Sequence, residues 1–98
     1  MGIFQITNKQ NGKIFIDSSR NLPGIINRYK FQLRFLGQPN KELQADWDTY
    51  GEDAFEFEII DDLDPDAVSD KDYARELLTL KEMWLEKLSP FGERGYNK

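Results

Sequence analysis

Six cations in the first 34 residues are the clearest candidates for chemistry: Lys9, Lys13, Arg20, Arg28, Lys30 and Arg34. With Lys41 they face one acid, Asp17, so residues 1–41 carry a net charge of +6. Residues 42–98 hold six basic and seventeen acidic residues, a net −11, which brings the chain to −5. Phosphate affinity comes from local clusters of Lys and Arg, so a net acidic chain can bind nucleic acid only through such a patch. The same residues equally suit a solvated helix face. Other chemistry is withheld. The chain has no histidine and no cysteine, which removes the commonest general base, the commonest metal ligand, thiolate sites and disulfides. Asp61, Asp62, Asp64, Asp66, Asp70 and Asp72 form an acidic run, but without the ligand spacing and central glycine of a calcium loop. It reads as a solvated loop, and no cofactor or metal is expected.

The elements that must position these residues are legible from pattern. Residues 2–8 and 13–17 are β-rich runs on either side of Asn8-Lys9-Gln10-Asn11-Gly12, whose Asn-Gly pair signals a hairpin turn because both types tolerate positive φ. Antiparallel pairing would put Phe4 and Phe15 on one face and Ile14 and Ile16 on the other. Asn21 is a good N-cap and Pro23 suits a first helical turn. Ile25, Tyr29, Leu33 and Leu36 then form a helical stripe, predicting a helix over 22–36 that stops at Gly37-Gln38-Pro39. Phe31 and Phe35 fall off the stripe, and either pack under a neighbour or form an exposed apolar patch. Asn40 caps a second helix over 41–50, closed by Gly51. Residues 55–61 alternate like a half-buried strand. The last helix, 72–88, presents Tyr73, Leu77, Leu80, Trp84 and Leu88 as a stripe, with Lys81 inside it. A lysine there must reach the rim or find a partner, because an unpaired buried charge is costly.

The chain resembles the GIY-YIG nuclease superfamily over nearly its full length. Gly2-Ile3-Phe4 stands where the family has Gly-Ile-Tyr, and Phe15-Ile16-Asp17 where it has Tyr-Ile-Gly. Asn40-Lys41-Glu42-Leu43-Gln44, Trp47, Tyr50-Gly51-Glu52-Asp53 and Phe55-Glu56-Phe57 are similar to its middle section. Glu76-Leu77-Leu78, Trp84 and Gly95-Tyr96-Asn97 resemble its last helix and tail. The resemblance implies an α/β fold of the α+β kind, a three-stranded sheet with flanking helices in the order β-β-α-α-β-α, and one domain over 1–98.

The resemblance also implies a reaction, and this sequence lacks the parts for it. Active members bind one divalent metal through a glutamate of the last helix, neutralise the scissile phosphate with an arginine of the first helix, and orient water with two tyrosines. Both tyrosine positions are phenylalanine, Phe4 and Phe15, whose rings have no hydroxyl. The arginine position, four residues after Asn21, is Ile25, and the histidine often found four further on is Tyr29. The glutamate position, three residues before Trp84, is Lys81, and the glycine that ends the second strand is Asp17. Asp17 and Arg28 are the nearest substitutes, whereas Glu82 should point away from the stripe. Asp17 and Lys81 border the same cleft of the family fold and are expected to pair within about 4 Å.

The expectation is therefore a GIY-YIG-like domain without catalysis, retained to bind DNA or another nucleic acid through the hairpin and first helix. A protein partner would instead use Phe31 and Phe35 or the acidic loop. The competing reading is an active, Mg²⁺-dependent endonuclease rebuilt on Asp17 and Arg28. Many family members continue beyond the tail into a DNA-targeting region, so no defined target sequence is expected. No apolar run is long enough to span a membrane and no signal-peptide pattern is present; no membrane partner and a cytoplasmic location are expected.

Overall fold

The computed structural model describes residues 2–62 and 73–97, with the side chain of Tyr73 left out. Most of the acidic run lies outside the described residues, as does Tyr73's place in the last stripe. The elements follow the expected order: β1 (Gly2–Asn8), β2 (Ile14–Ser19), α1 (Leu22–Phe31), α2 (Lys41–Tyr50), β3 (Phe55–Asp62) and α3 (Tyr73–Leu88). They build an antiparallel three-stranded sheet in the order β2-β1-β3, with β1 in the centre.

The hairpin closes through local hydrogen bonds. Asn8 N donates to Lys13 O at 2.8 Å and Gly12 N to Asn8 O at 2.8 Å. The Asn8 and Asn11 side chains accept from the Gln10 and Lys13 amides, each at 2.9 Å. Within the turn only Gly12 takes positive φ, at 77°, so the Asn-Gly pair acts through the glycine backbone and the Asn11 side chain. Phe4 pairs with Asp17 and Ile6 with Phe15, which sets all four on one face, as alternation requires. The other face carries Ile3 and Ile16. β2 runs two residues past its expected end at Asp17, because Ser18 and Ser19 continue the ladder to Ile3 and Gly2.

Each face is covered by different helices. Phe4, Ile6, Leu22, Leu33, Leu43, Trp47, Phe55 and Tyr96 form the larger core under α1 and α2, and Ile3, Ile16 and Leu77 form the smaller one under α3. Burying each of these large apolar side chains contributes about 1.5–3 kcal/mol. The caps act where the residue types placed them. Asn21 Oδ1 accepts from Gly24 N at 3.1 Å, Asn40 Oδ1 accepts from Leu43 N at 3.1 Å, and Gly51 ends α2 at a φ of 86°.

One expectation fails. The helix does not run as an α-helix to Leu36: Gln32–Leu36 form a π-helical turn, closed by Gly37 N donating to Gln32 O, five residues back, at 2.6 Å. A wider turn advances each residue by less than the 100° of an α-helix. Leu33 stays buried, but Leu36 rotates off the stripe and is 70% exposed. Phe31 and Phe35 are exposed as well, at 52% and 72%, with ring centroids 5.3 Å apart. Of the two alternatives for these phenylalanines, the structure takes the exposed patch.

Candidate functional site

The site begins at β2, an edge strand, and at the residue that faces Phe4 across the pairing. Asp17 Oδ1 accepts from Ser18 N at 2.8 Å and lies 3.0 Å from Lys81 Nζ, while Oδ2 accepts from the Tyr29 hydroxyl at 3.2 Å. Lys81 belongs to the helix that covers Ile3 and Ile16, whereas Asp17 is in register with Phe4 on the opposite face. The lysine therefore reaches round the sheet edge, which a four-carbon stem permits. The Lys81 and Asp17 side chains are 29% and 28% exposed. This is the pairing expected from their places in the sequence.

Tyr29 links that pair to the core. Its ring lies 5.3 Å from Phe4 and 5.8 Å from Phe15 between centroids, and Ile25 packs on the same core. Burial, then the Asp17 charge, then the hydrogen bond to Asp17 push its phenol up to about 12, against smaller opposing effects of Gln38 and Arg28. At neutral pH this phenol is a hydrogen-bond donor. Tyr29 and Lys81 thus meet at one carboxylate, Phe4 lies opposite it in the sheet, Phe15 and Ile25 pack on the core beneath α1, and none of the five supplies a base or an anionic ligand.

A divalent metal does not fit this donor set. Both oxygens of Asp17 are engaged, and an ammonium stands 3.0 Å from one of them, where its charge repels a second cation. Of the two substitutes, Arg28 is exposed and lies near enough for its charge to act on Tyr29. No ion pair joins it to Asp17 or to another described acid.

The six cations do not behave alike. Lys13 Nζ binds Glu42 at 2.6 Å and lies 5.7 Å from the centroid of the Tyr96 ring; its hydrogen bond to Glu42 raises its pKa most. Arg34 pairs with Glu52. Lys30 sits 5.1 Å from the centroid of Phe57, a cation–π contact. Lys9, Arg20 and Arg28 are exposed and pair with no described acid. An open cleft of about 390 Å³, lined by Lys30, Arg34, Trp47, Glu52 and Phe57 among others, separates α1 from β3.

Two structural roles in the tail escaped the sequence. Asn97 Oδ1 accepts from Ile16 N at 2.9 Å, and its Nδ2 donates to Ile16 O at 2.8 Å, so one side-chain amide closes the outer edge of β2. Asn8, fully buried, donates to the Tyr96 hydroxyl at 3.1 Å, which donates to Asp46 at 2.7 Å. Gly95-Tyr96-Asn97 stands out as a motif, but nothing local says which strand it will meet.

No family model matches the chain, and no curated protein matches it. Solved structures do. The catalytic domain of homing endonuclease I-TevI superposes with a TM-score of 0.78 at 22% identity, covering 98% of this chain and 95% of that one. A glutamate-to-alanine mutant of the same domain gives 0.77 at 24% identity, covering 98% and 90%. That domain is a GIY-YIG nuclease. The antiparallel sheet, its flanking helices and their order are shared across nearly the whole length of both chains, and this chain therefore has the GIY-YIG-like, endonuclease-like α+β fold.

Proposed function

We propose that this chain is a GIY-YIG-like domain without phosphodiester cleavage that serves to bind nucleic acid. The ion pair of Lys81 with Asp17 carries the first half of this reading. An ammonium stands where the fold's nuclease chemistry calls for a metal-binding carboxylate, and the local carboxylate is spent on holding it. Phe4 and Phe15 add no hydroxyl, and Ile25 no positive charge, to substitute for what is missing. Supercoiled plasmid incubated with pure protein and Mg²⁺ or Mn²⁺ tests this half, with no nicking expected. Robust metal-dependent cutting that is abolished by Asp17→Ala or Arg28→Ala would instead establish the rebuilt endonuclease.

The second half rests on Lys9, Arg20 and Arg28, exposed cations on the hairpin, the β2–α1 link and α1. It also draws on the solved neighbours, which are endonucleases. Three phosphate contacts would lower log K with log salt at a slope of about −3. Fluorescence anisotropy with labelled DNA over a salt series measures it. Charge-neutral variants of the three residues should flatten the slope stepwise.

A further inference from the structure

We propose that Phe31 and Phe35 form a stacking platform for the bases of a single-stranded nucleic acid, with Arg28, Lys30 and Arg34 as its phosphate-facing flank. This deepens the nucleic-acid reading above and rests on it. Phe31, Phe35 and Leu36 are a cluster of large apolar side chains at the end of the first helix, exposed at 52%, 72% and 70%. The two rings lie 5.3 Å apart and tilted by 54°. The π-helical turn extends this patch, because it rotates Leu36 out of the core next to two phenylalanines that lie off the buried stripe already. Such turns recur at functional sites.

The occupant is argued from charge and from size. Arg20 to Lys41 holds five cations and no acid, in a chain whose net charge is −5. Lys30 and Arg34 line one cleft and the Phe31 and Phe35 rings lie 5.3 Å apart, so two cations and two rings alternate in sequence at the end of one helix. That arrangement suits a strand whose bases meet aromatic faces while its phosphates meet a basic track. A duplex hides its base faces and would use only the cations. Three apolar side chains are also too few for a stable protein interface of about 1,200–2,000 Å². Arg34 is held by Glu52 and Lys30 lies over Phe57, and both line the cleft toward β3, which Glu52, Asp53 and Glu56 line as well. The Arg34 contact can open toward a phosphate, since the Arg34 and Glu52 side chains are half-exposed.

Anisotropy of labelled oligothymidylate and of a duplex of equal length, each over a salt series, tests the platform. Wild-type protein should bind the single strand more tightly. Phe35→Ala, an exposed position whose change leaves the core intact, should weaken single-strand binding by about tenfold. It should leave duplex affinity and the slope of log K against log salt unchanged, because stacking releases no counterions. Arg28→Gln should weaken both ligands and flatten both slopes. Equal binding of the two wild-type ligands, or single-strand binding unmoved by Phe35→Ala and Phe31→Ala, overturns the platform while leaving the nucleic-acid reading in place. Binding of neither ligand at low salt removes that reading and the platform with it. Self-association in sedimentation that Phe35→Ala abolishes, with oligonucleotide binding unmoved, gives the patch to a protein partner and overturns the proposal.

Discussion

Lys81 Nζ lies 3.0 Å from Asp17 Oδ1 across the edge of the sheet, and the hydroxyl of Tyr29 donates to the other oxygen of the same carboxylate at 3.2 Å. Three residues from β2, α1 and α3 thereby meet at one point. About seven-tenths of each charged side chain is removed from water. The pair therefore falls between surface ion pairs, which contribute little, and buried ones, whose disruption strands a charge. Lys81→Met and Asp17→Asn should each destabilise the protein, and the double variant should lose less than the sum. Urea unfolding of the four proteins should give a coupling of about 1 kcal/mol. Strict additivity would mean that the two groups are neighbours without being partners.

Alkaline pH should destabilise the protein, through Tyr29 in part. Its folded pKa of about 12 exceeds the ordinary 10.0, so its contribution is fully present below pH 10 and is lost between pH 10 and 12. The folded state holds the proton longer than the unfolded chain, which gives stability a falling slope in that window. Discounted for the phenol's partial exposure, the loss is about 1 kcal/mol. Tyr29→Phe should make the decline shallower. A decline equally steep in the variant would assign it to other groups, such as Tyr96, whose pKa is also raised by burial.

The tail should be a structural clamp. Asn97→Ala would free both the N–H and the C=O of Ile16, a fully buried residue on an edge strand. The cost should be about 1–3 kcal/mol. Hydrogen exchange at the Ile16 amide should accelerate more than at Gln5, its partner on the central strand. Unchanged exchange at Ile16 would show that the amide pairing is dispensable.

Tyr96→Phe should cost a similar amount for a different reason. The hydroxyl accepts from Asn8, which is fully buried, and donates to Asp46. Removing it leaves a buried amide donor without that acceptor, a loss of about 1–3 kcal/mol. Asp46→Ala should cost less, because Asp46 stands at the outer end of that chain of bonds and its other partner, Asn11 Nδ2 at 3.2 Å, is exposed. A reversed order in thermal unfolding would contradict this ranking.

Local chemistry makes much of this protein legible in its residues alone. Asn21 and Asn40 cap helices because each side chain needs only an amide three residues on, and Gly12 and Gly51 end their elements because only glycine adopts their φ without strain. The places of Phe4, Phe15, Ile25, Tyr29 and Lys81, and the Asp17–Lys81 pair, come instead from the resemblance to the GIY-YIG superfamily, which supplies the cleft that both charges face. What pairing at a distance decides is not legible. Lys13 and Arg34 read as free cations, whereas folding brings Glu42 and Glu52 to them from other elements. Leu36 reads as core, yet the turn before Gly37 widens and exposes it, because a period of 3.6 cannot announce where one extra residue enters a helix. Asn97 reads as part of a motif without a task, since its partner lies 81 residues away, on a strand edge that exists only once the sheet has formed. Capping and patterning act over one turn of chain and are written in neighbouring residues. Partner choice among charges and amides depends on which surfaces folding brings together, and that only the tertiary structure decided.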